Sequence, residues 1–198
     1  MTDRTSSQGG SADGPTLEER LDRIESREAI EDLLLRYCMA CDDRDIEGLV
    51  GCYAPGGYFL SSGRRTEGHD AMARQFAARL ADFGPTYHVI HGAIIEFDSR
   101  DSARGTVLAH AEHMVERGIV VAAHRYLDTY TRVSGRWLLR SREARFYYVA
   151  PLDELPTLDP TAPRRRWPGA EPQAADLPES LATYQAFIAR PSARRNSR

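Results

Sequence analysis

TYHVIHGAIIEF at residues 86–97 decides the architecture, and the chain on either side of it reads differently. The segment is β-branched and aromatic, the composition of a half-buried strand. After the polar turn 98–101, Ala103–Val115 alternates apolar with polar residues, and Glu116-Arg117-Gly118 turns the chain. Ile119–Val133 and Arg136–Val149 are two further long strands, joined at Ser134-Gly135. Four consecutive strands linked by short turns predict an antiparallel meander.

Upstream the period is helical. Thr16-Leu17-Glu18-Glu19 has the form of a capping box, with Leu21 and Ile24 on one face of the helix it opens. Ile30, Leu33, Leu34, Tyr37, Cys38 and Cys41 then fall on one helical stripe, which should stop near Asp42-Asp43. A short helix carries Ile46, Leu49, Val50 and Tyr53 and ends at Ala54-Pro55-Gly56-Gly57. Tyr58-Phe59-Leu60 is a short strand, 61–68 a hairpin or loop, and a third helix spans about 69–82 with Met72, Phe76 and Leu80 buried. Helices followed by strands give an α+β domain over residues 16–150. Residues 1–15 lack hydrophobic periodicity and should be a disordered tail. Within residues 151–198, the stretch 151–178 contains seven prolines and is expected to be an extended strap, before a short helix at 179–189.

Composition limits the function. The 198 residues are 41% hydrophobic and 28% charged, with a net charge of −3, so there is no basic footprint for nucleic acid. No apolar run is long enough to span a membrane, and the polar N-terminus is no secretory signal, so a cytoplasmic location is expected. Three cysteines give no complete disulfide framework. Phosphate-binding loops, dinucleotide fingerprints and nucleophile elbows are missing from the sequence. The spacings His88-x-x-His91 and His110-x-x-His113 place each pair on opposite strand faces, so neither a metal nor a cofactor is expected.

Three features could carry chemistry. Asp42 stands at a helix C-terminus, where the dipole disfavours an acid, so it needs a partner or solvent. With Asp43 and Asp45 it also reads as a solvated turn. Five of six histidines fall on the strands. His88 should share a face with Ile90, Gly92 and Ile94. His113 shares one with Ala103, Gly105, Val107, Ala109 and Ala111, a small apolar series suited to lining a pocket. Any one of these histidines also reads as a structural or interface residue. Arg145 shares parity with Trp137, Leu139 and Tyr147, which suggests that it points inward to a carboxylate or an anionic ligand.

The ordered set Ser26–Leu33, Tyr37, Cys41–Asp45, Tyr87–His91, Asp101–Gly105 and Ser134–Leu139 resembles the SnoaL-like branch of the nuclear transport factor 2-like superfamily, over about residues 17–150. The resemblance implies a cone-shaped curved antiparallel sheet wrapped around the N-terminal helices, with a cavity at its mouth. It also implies homo-oligomers, trimers before dimers. Within that branch the pattern is similar to the scytalone dehydratase and bile-acid 7α-dehydratase lyases. It implies Asp42, His88, Tyr37, His113 and Arg145 as catalytic residues, with Tyr58, Ala111, Trp137 and Tyr147 on the pocket wall. Cys41 departs from the tyrosine that scytalone dehydratase carries there. The implied activity is a cofactor-independent, dehydratase-like lyase acting on a hydrophobic ring-bearing small molecule, with an isomerase, a polyketide-type cyclase or a non-catalytic binding module as alternatives.

Overall fold

A computed structural model describes residues 14–190, so the expectation for residues 1–13 lies outside it. The first helix, α1, runs Leu17–Asp42. Its capping box is formed: Thr16 Oγ1 accepts from Glu19 N at 3.2 Å, and Glu19 Oε2 accepts from Thr16 N at 2.8 Å. The stripe from Ile30 to Cys41 is buried, whereas Leu21 and Ile24 are exposed. Arg132 ties this first half down instead, donating to Asp22 at 2.8 Å and to Ser26 Oγ at 2.6 Å.

Helix α2 (Ile46–Gly51) is capped by the Asp45 side chain, which accepts from Gly48 N at 2.8 Å. It ends sooner than the apolar stripe suggests. Tyr53 belongs to strand β1 (Tyr53–Ser61), because its backbone pairs with Leu139. The Pro-Gly-Gly run that reads as a helix stop is a bulge inside β1: its partners jump from Leu139 at Tyr53 to Ser141 at Tyr58. Strand β2 (Arg64–Glu67) returns as a hairpin, and helix α3 (His69–Ala81) buries Met72, Phe76 and Leu80. Strands β3 (Thr86–Phe97), β4 (Ser102–Val115), β5 (Gly118–Val133) and β6 (Arg136–Pro151) form the long meander.

The sheet order is β2-β1-β6-β5-β4-β3, an α+β arrangement in which the curved sheet stays open at β2 and β3. The four long strands are antiparallel, but β1 lies parallel to β6, so the sheet is mixed rather than antiparallel throughout. No hairpin joins β1 to β6; residues 62–135 intervene, and nothing forces their directions to oppose. Helix α1 lies across β3 and β6, and its buried stripe meets Val107, Tyr126, Leu139 and Ala144 in one core.

Three bulges decide which side chains face that core. In β3 the register slips between Ile90 and Gly92. An extra residue inverts the alternation beyond it. Hence Ile95 is buried and Ile94 is 69% exposed, so the face expected to run His88, Ile90, Gly92, Ile94 is broken after Ile90. In β6 the partners of Thr129 and Tyr130 are Ser141 and Leu139, which skips Arg140. Those of Ala123 and His124 are Tyr148 and Phe146, which skips Tyr147.

The chain after β6 is docked against the sheet. After a 3-10 turn (Leu152–Thr157), Arg165 pairs in parallel with Val149 and antiparallel with Gln173. The strap thus occupies the edge of β6 that β1 vacates after Ser61. Helix α4 covers Ala182–Ile188, within the expected range. No helix among the described residues is long and apolar enough to cross a membrane.

Candidate active site

Asp42 ends α1, and the left-handed Arg44 (φ 62°) turns the chain sharply after it. The Arg44 guanidinium then donates back to the Cys41 carbonyl at 2.9 Å, to Thr86 Oγ1 at 2.8 Å and to the Gly84 carbonyl. The end of α1 is thereby fastened to the start of β3. Of the three neighbouring acids, Asp45 caps α2, Asp43 is exposed, and Asp42 faces β3.

Asp42 accepts three hydrogen bonds there: from His88 Nδ1 at 2.6 Å, from the His88 amide at 2.8 Å and from Thr86 Oγ1 at 2.8 Å. Burial disfavours its charge, but these donors outweigh burial and hold the carboxyl below its ordinary pKa. Because the ionised carboxylate only accepts, the shared hydrogen resides on His88 Nδ1, and Nε2 of the neutral ring keeps its lone pair.

His88 lines a cavity of about 910 Å³, within the range of small-molecule sites. Ala111 and Ala122 follow His88 across β4 and β5, and their small side chains leave its floor open. His113, His124, Phe146 and Tyr37 stand on the same wall. Burial lowers the His113 pKa to about 4, aided by the nearby His88, and burial lowers that of His124 to about 3. Both rings are neutral near pH 7. His124 Nδ1 donates to the Ala122 carbonyl at 3.1 Å. Tyr37 is 3% exposed, and burial raises its phenol pKa strongly. Cys41 also borders the cavity, and its thiol is pushed up by burial, which removes it as a nucleophile.

The expected residues therefore divide. Asp42, His88, Tyr37, His113 and Ala111 come together. Arg145 does not join them. The bulge at Arg140 reverses parity, and Arg145 lies on the outer face with its Nε on Glu143 at 2.7 Å. Tyr147, in the second bulge, lies on the outer face with His91 and His110. Tyr58 is also turned outward, under the Arg65 guanidinium at 3.7 Å, while its neighbour Phe59 lines the cavity. Trp137 points inward but packs on Phe97 and beneath Arg132, away from the cavity wall.

The inward arginine is Arg142, which sequence parity missed. It is fully buried and donates to Asp128 through Nε at 3.0 Å and Nη2 at 2.7 Å. Its guanidinium lies 4.2 Å from the Tyr37 ring centroid and 4.1 Å from that of Tyr126. Thr86 and Arg44 were also missed; neither residue type announces that it will brace a carboxylate.

Residues 22–143, more than half of the chain, match the SnoaL-like domain model. The chain belongs to the SnoaL-like family. Solved structures agree on the nuclear transport factor 2-like fold. A candidate scytalone dehydratase from Novosphingobium aromaticivorans is 22% identical, covers 67% of this chain and 91% of its own, and superposes with a TM-score of 0.63. Hexachlorocyclohexane dehydrochlorinase type 3 from Novosphingobium barchaimii is also 22% identical, over 67% of this chain and 94% of its own, at a TM-score of 0.63. A Mycobacterium tuberculosis protein of unknown function is 23% identical, over 75% and 83%, at 0.60. No curated protein matches the chain.

Proposed function

We propose that this SnoaL-like protein is a cofactor-independent lyase of the dehydratase type, acting on a hydrophobic, ring-bearing small molecule. The observation that carries this reading is the 2.6 Å contact between Asp42 and His88 Nδ1 beside an open cavity. His88 Nε2 removes a proton from a carbon next to a carbonyl or similar group. Asp42 fixes the tautomer and stabilises the imidazolium that forms. A positioned base of this kind contributes about 10²–10⁴-fold to the rate.

The complementary hydrogen bond comes from Tyr37, whose phenol keeps its proton because burial raises its pKa; the Arg142 cation against its ring offsets that only in part. His113 suits orientation of the substrate better than acid catalysis, because its ring is uncharged near pH 7. Elimination follows when the β-carbon carries a leaving group. Without one, the same dyad performs isomerisation or cyclisation, and the weak acids around the cavity favour that second reading. A non-catalytic scaffold would need neither the hydrogen-bonded dyad nor an open cavity, and a binding module would need no dyad.

The outer face of β3 and β4 exposes Tyr87, Ile94, Leu108 and Met114, which supports association into a homo-oligomer; the family resemblance alone favours a trimer over a dimer. The test of the lyase reading is a screen of hydroxylated ring compounds with wild type and His88→Gln. Loss of turnover in the variant is expected. Unchanged turnover sinks the general-base role.

A further inference from the structure

The family match ends at residue 143, yet the cavity wall continues beyond it. Trp167, Ala170, Glu171 and Gln173 of the C-terminal strap all border the cavity. They are held there by an ordered set of bonds. Val149 N donates to the Arg164 carbonyl at 2.7 Å, and Arg166 N donates to the Val149 carbonyl at 2.9 Å. The Arg165 guanidinium reaches Asp176 at 2.9 Å, and Asp176 in turn accepts from Phe146 N at 2.9 Å. Leu177, 2% exposed, seats the far end.

These bonds set Trp167 between the helix and sheet walls of the cavity. Its ring centroid lies 5.3 Å from that of His113 and 5.7 Å from that of Phe146, both edge-on. Phe83 is at 6.0 Å, and the Arg79 guanidinium, itself paired with Asp82, sits 4.4 Å from the indole. Around Trp167 the cavity is lined by the rings of His113, Phe83 and Phe146, together with the polar side chains of Arg79, Glu171 and Gln173. A wall of ring edges and faces favours a flat, apolar ligand.

We infer that the strap is a recognition wall added to the family domain, with Trp167 as its specificity-determining residue for planar, uncharged ring compounds. This deepens the lyase reading and rests on it for the identity of that ligand as substrate; ring binding itself is measured without turnover.

The probe is 2-naphthol, titrated by calorimetry into the full chain. Saturable binding is expected for wild type. Trp167→Phe, which keeps a ring, should bind within about threefold of wild type, and Trp167→Leu about tenfold more weakly, the loss of one aromatic contact. Hydrogen exchange at the Val149 and Arg166 amides establishes that the strap stays docked in each variant. No saturable binding by wild type, or equal affinity in Trp167→Leu with the strap docked, overturns the inference. Trp167-dependent binding by a protein that turns over no ring substrate leaves the inference standing and removes the lyase reading.

Discussion

Asp42 grips His88 twice, through the ring Nδ1 at 2.6 Å and through the backbone amide at 2.8 Å. One carboxylate thus fixes both the tautomer of the ring and the position of the strand that carries it. Asp42→Asn should therefore damage catalysis more than folding at neutral pH. A drop in kcat of about 10²-fold or more is expected on any substrate found, with KM changed much less. The folded-state pKa of Asp42 lies below its ordinary value. Its stabilising contribution is present above the ordinary carboxylate range and is lost as pH falls through the depressed value. Denaturation midpoints of Asp42→Asn should accordingly fall less steeply than those of wild type in that acid limb. Parallel acid limbs would deny Asp42 its stabilising hydrogen bonds.

The two buried histidines make a prediction of the same sign, at milder pH. His113 and His124 titrate near 4 and 3 when folded, so the unfolded chain takes up their protons first. Stability should decline once the pH drops below about 6.5, at up to about 1.4 kcal/mol per pH unit for each ring, and level off near each folded value. Urea midpoints between pH 7 and pH 4 measure the slope. His113→Gln should flatten it. An unaltered slope in that variant would show that His113 binds its proton equally well in the folded and unfolded chain.

Arg142 and Arg145, three residues apart on β6, should behave as different residues altogether. Arg142 and Asp128 have fully buried side chains. Removing one partner strands the other charge, so Arg142→Met should cost about 3–5 kcal/mol. A compensating Asp128→Leu in the same chain should recover much of that stability. Arg145→Ala removes only a partly exposed pair with Glu143 and should cost at most about 1 kcal/mol, with turnover intact. Chemical denaturation of the three variants checks the order. If Arg145→Ala proved as costly as Arg142→Met, the inward assignment of Arg142 would be wrong.

That contrast also marks what the sequence could convey. Helical stripes, turn residues and strand alternation gave the elements and their order, because each depends on neighbours close in the chain; the meeting of Asp42 with His88, far apart in the chain, was legible only through the family resemblance. The inward side of β6 was not legible, because it depends on single-residue bulges at Arg140 and Tyr147 that appear only when β5 lies alongside. Parity counted from Trp137 is right as far as Leu139 and inverted at Arg145. Likewise Pro55-Gly56-Gly57 carries the ordinary signals of a helix stop, and only pairing with β6 turns it into a strand bulge. The strap's prolines announced an extended path, but not that Arg165 and Asp176 would fix it against β6.

The open floor of the cavity depends on two alanines, and enlarging the one farther from the base, Ala122, should separate binding from base strength. Ala111 pairs with His88 on one side and Ala122 on the other, so the three lie in one row across the sheet. Adjacent strands are about 4.8 Å apart, so Ala122 lies roughly 10 Å from His88, a distance that a ring system spans. Ala111 is 1% exposed and shares the cavity wall with both neighbours, so a larger side chain there takes space next to the base itself. Ala122→Leu projects into the cavity farther from His88 and leaves the dyad's hydrogen bonds in place. It should raise KM, or weaken 2-naphthol binding, by about tenfold while kcat for a small substrate stays within a few-fold. Ala111→Leu should depress both. If Ala122→Leu left ring affinity untouched, the ligand would not reach across the row from His88 to Ala122.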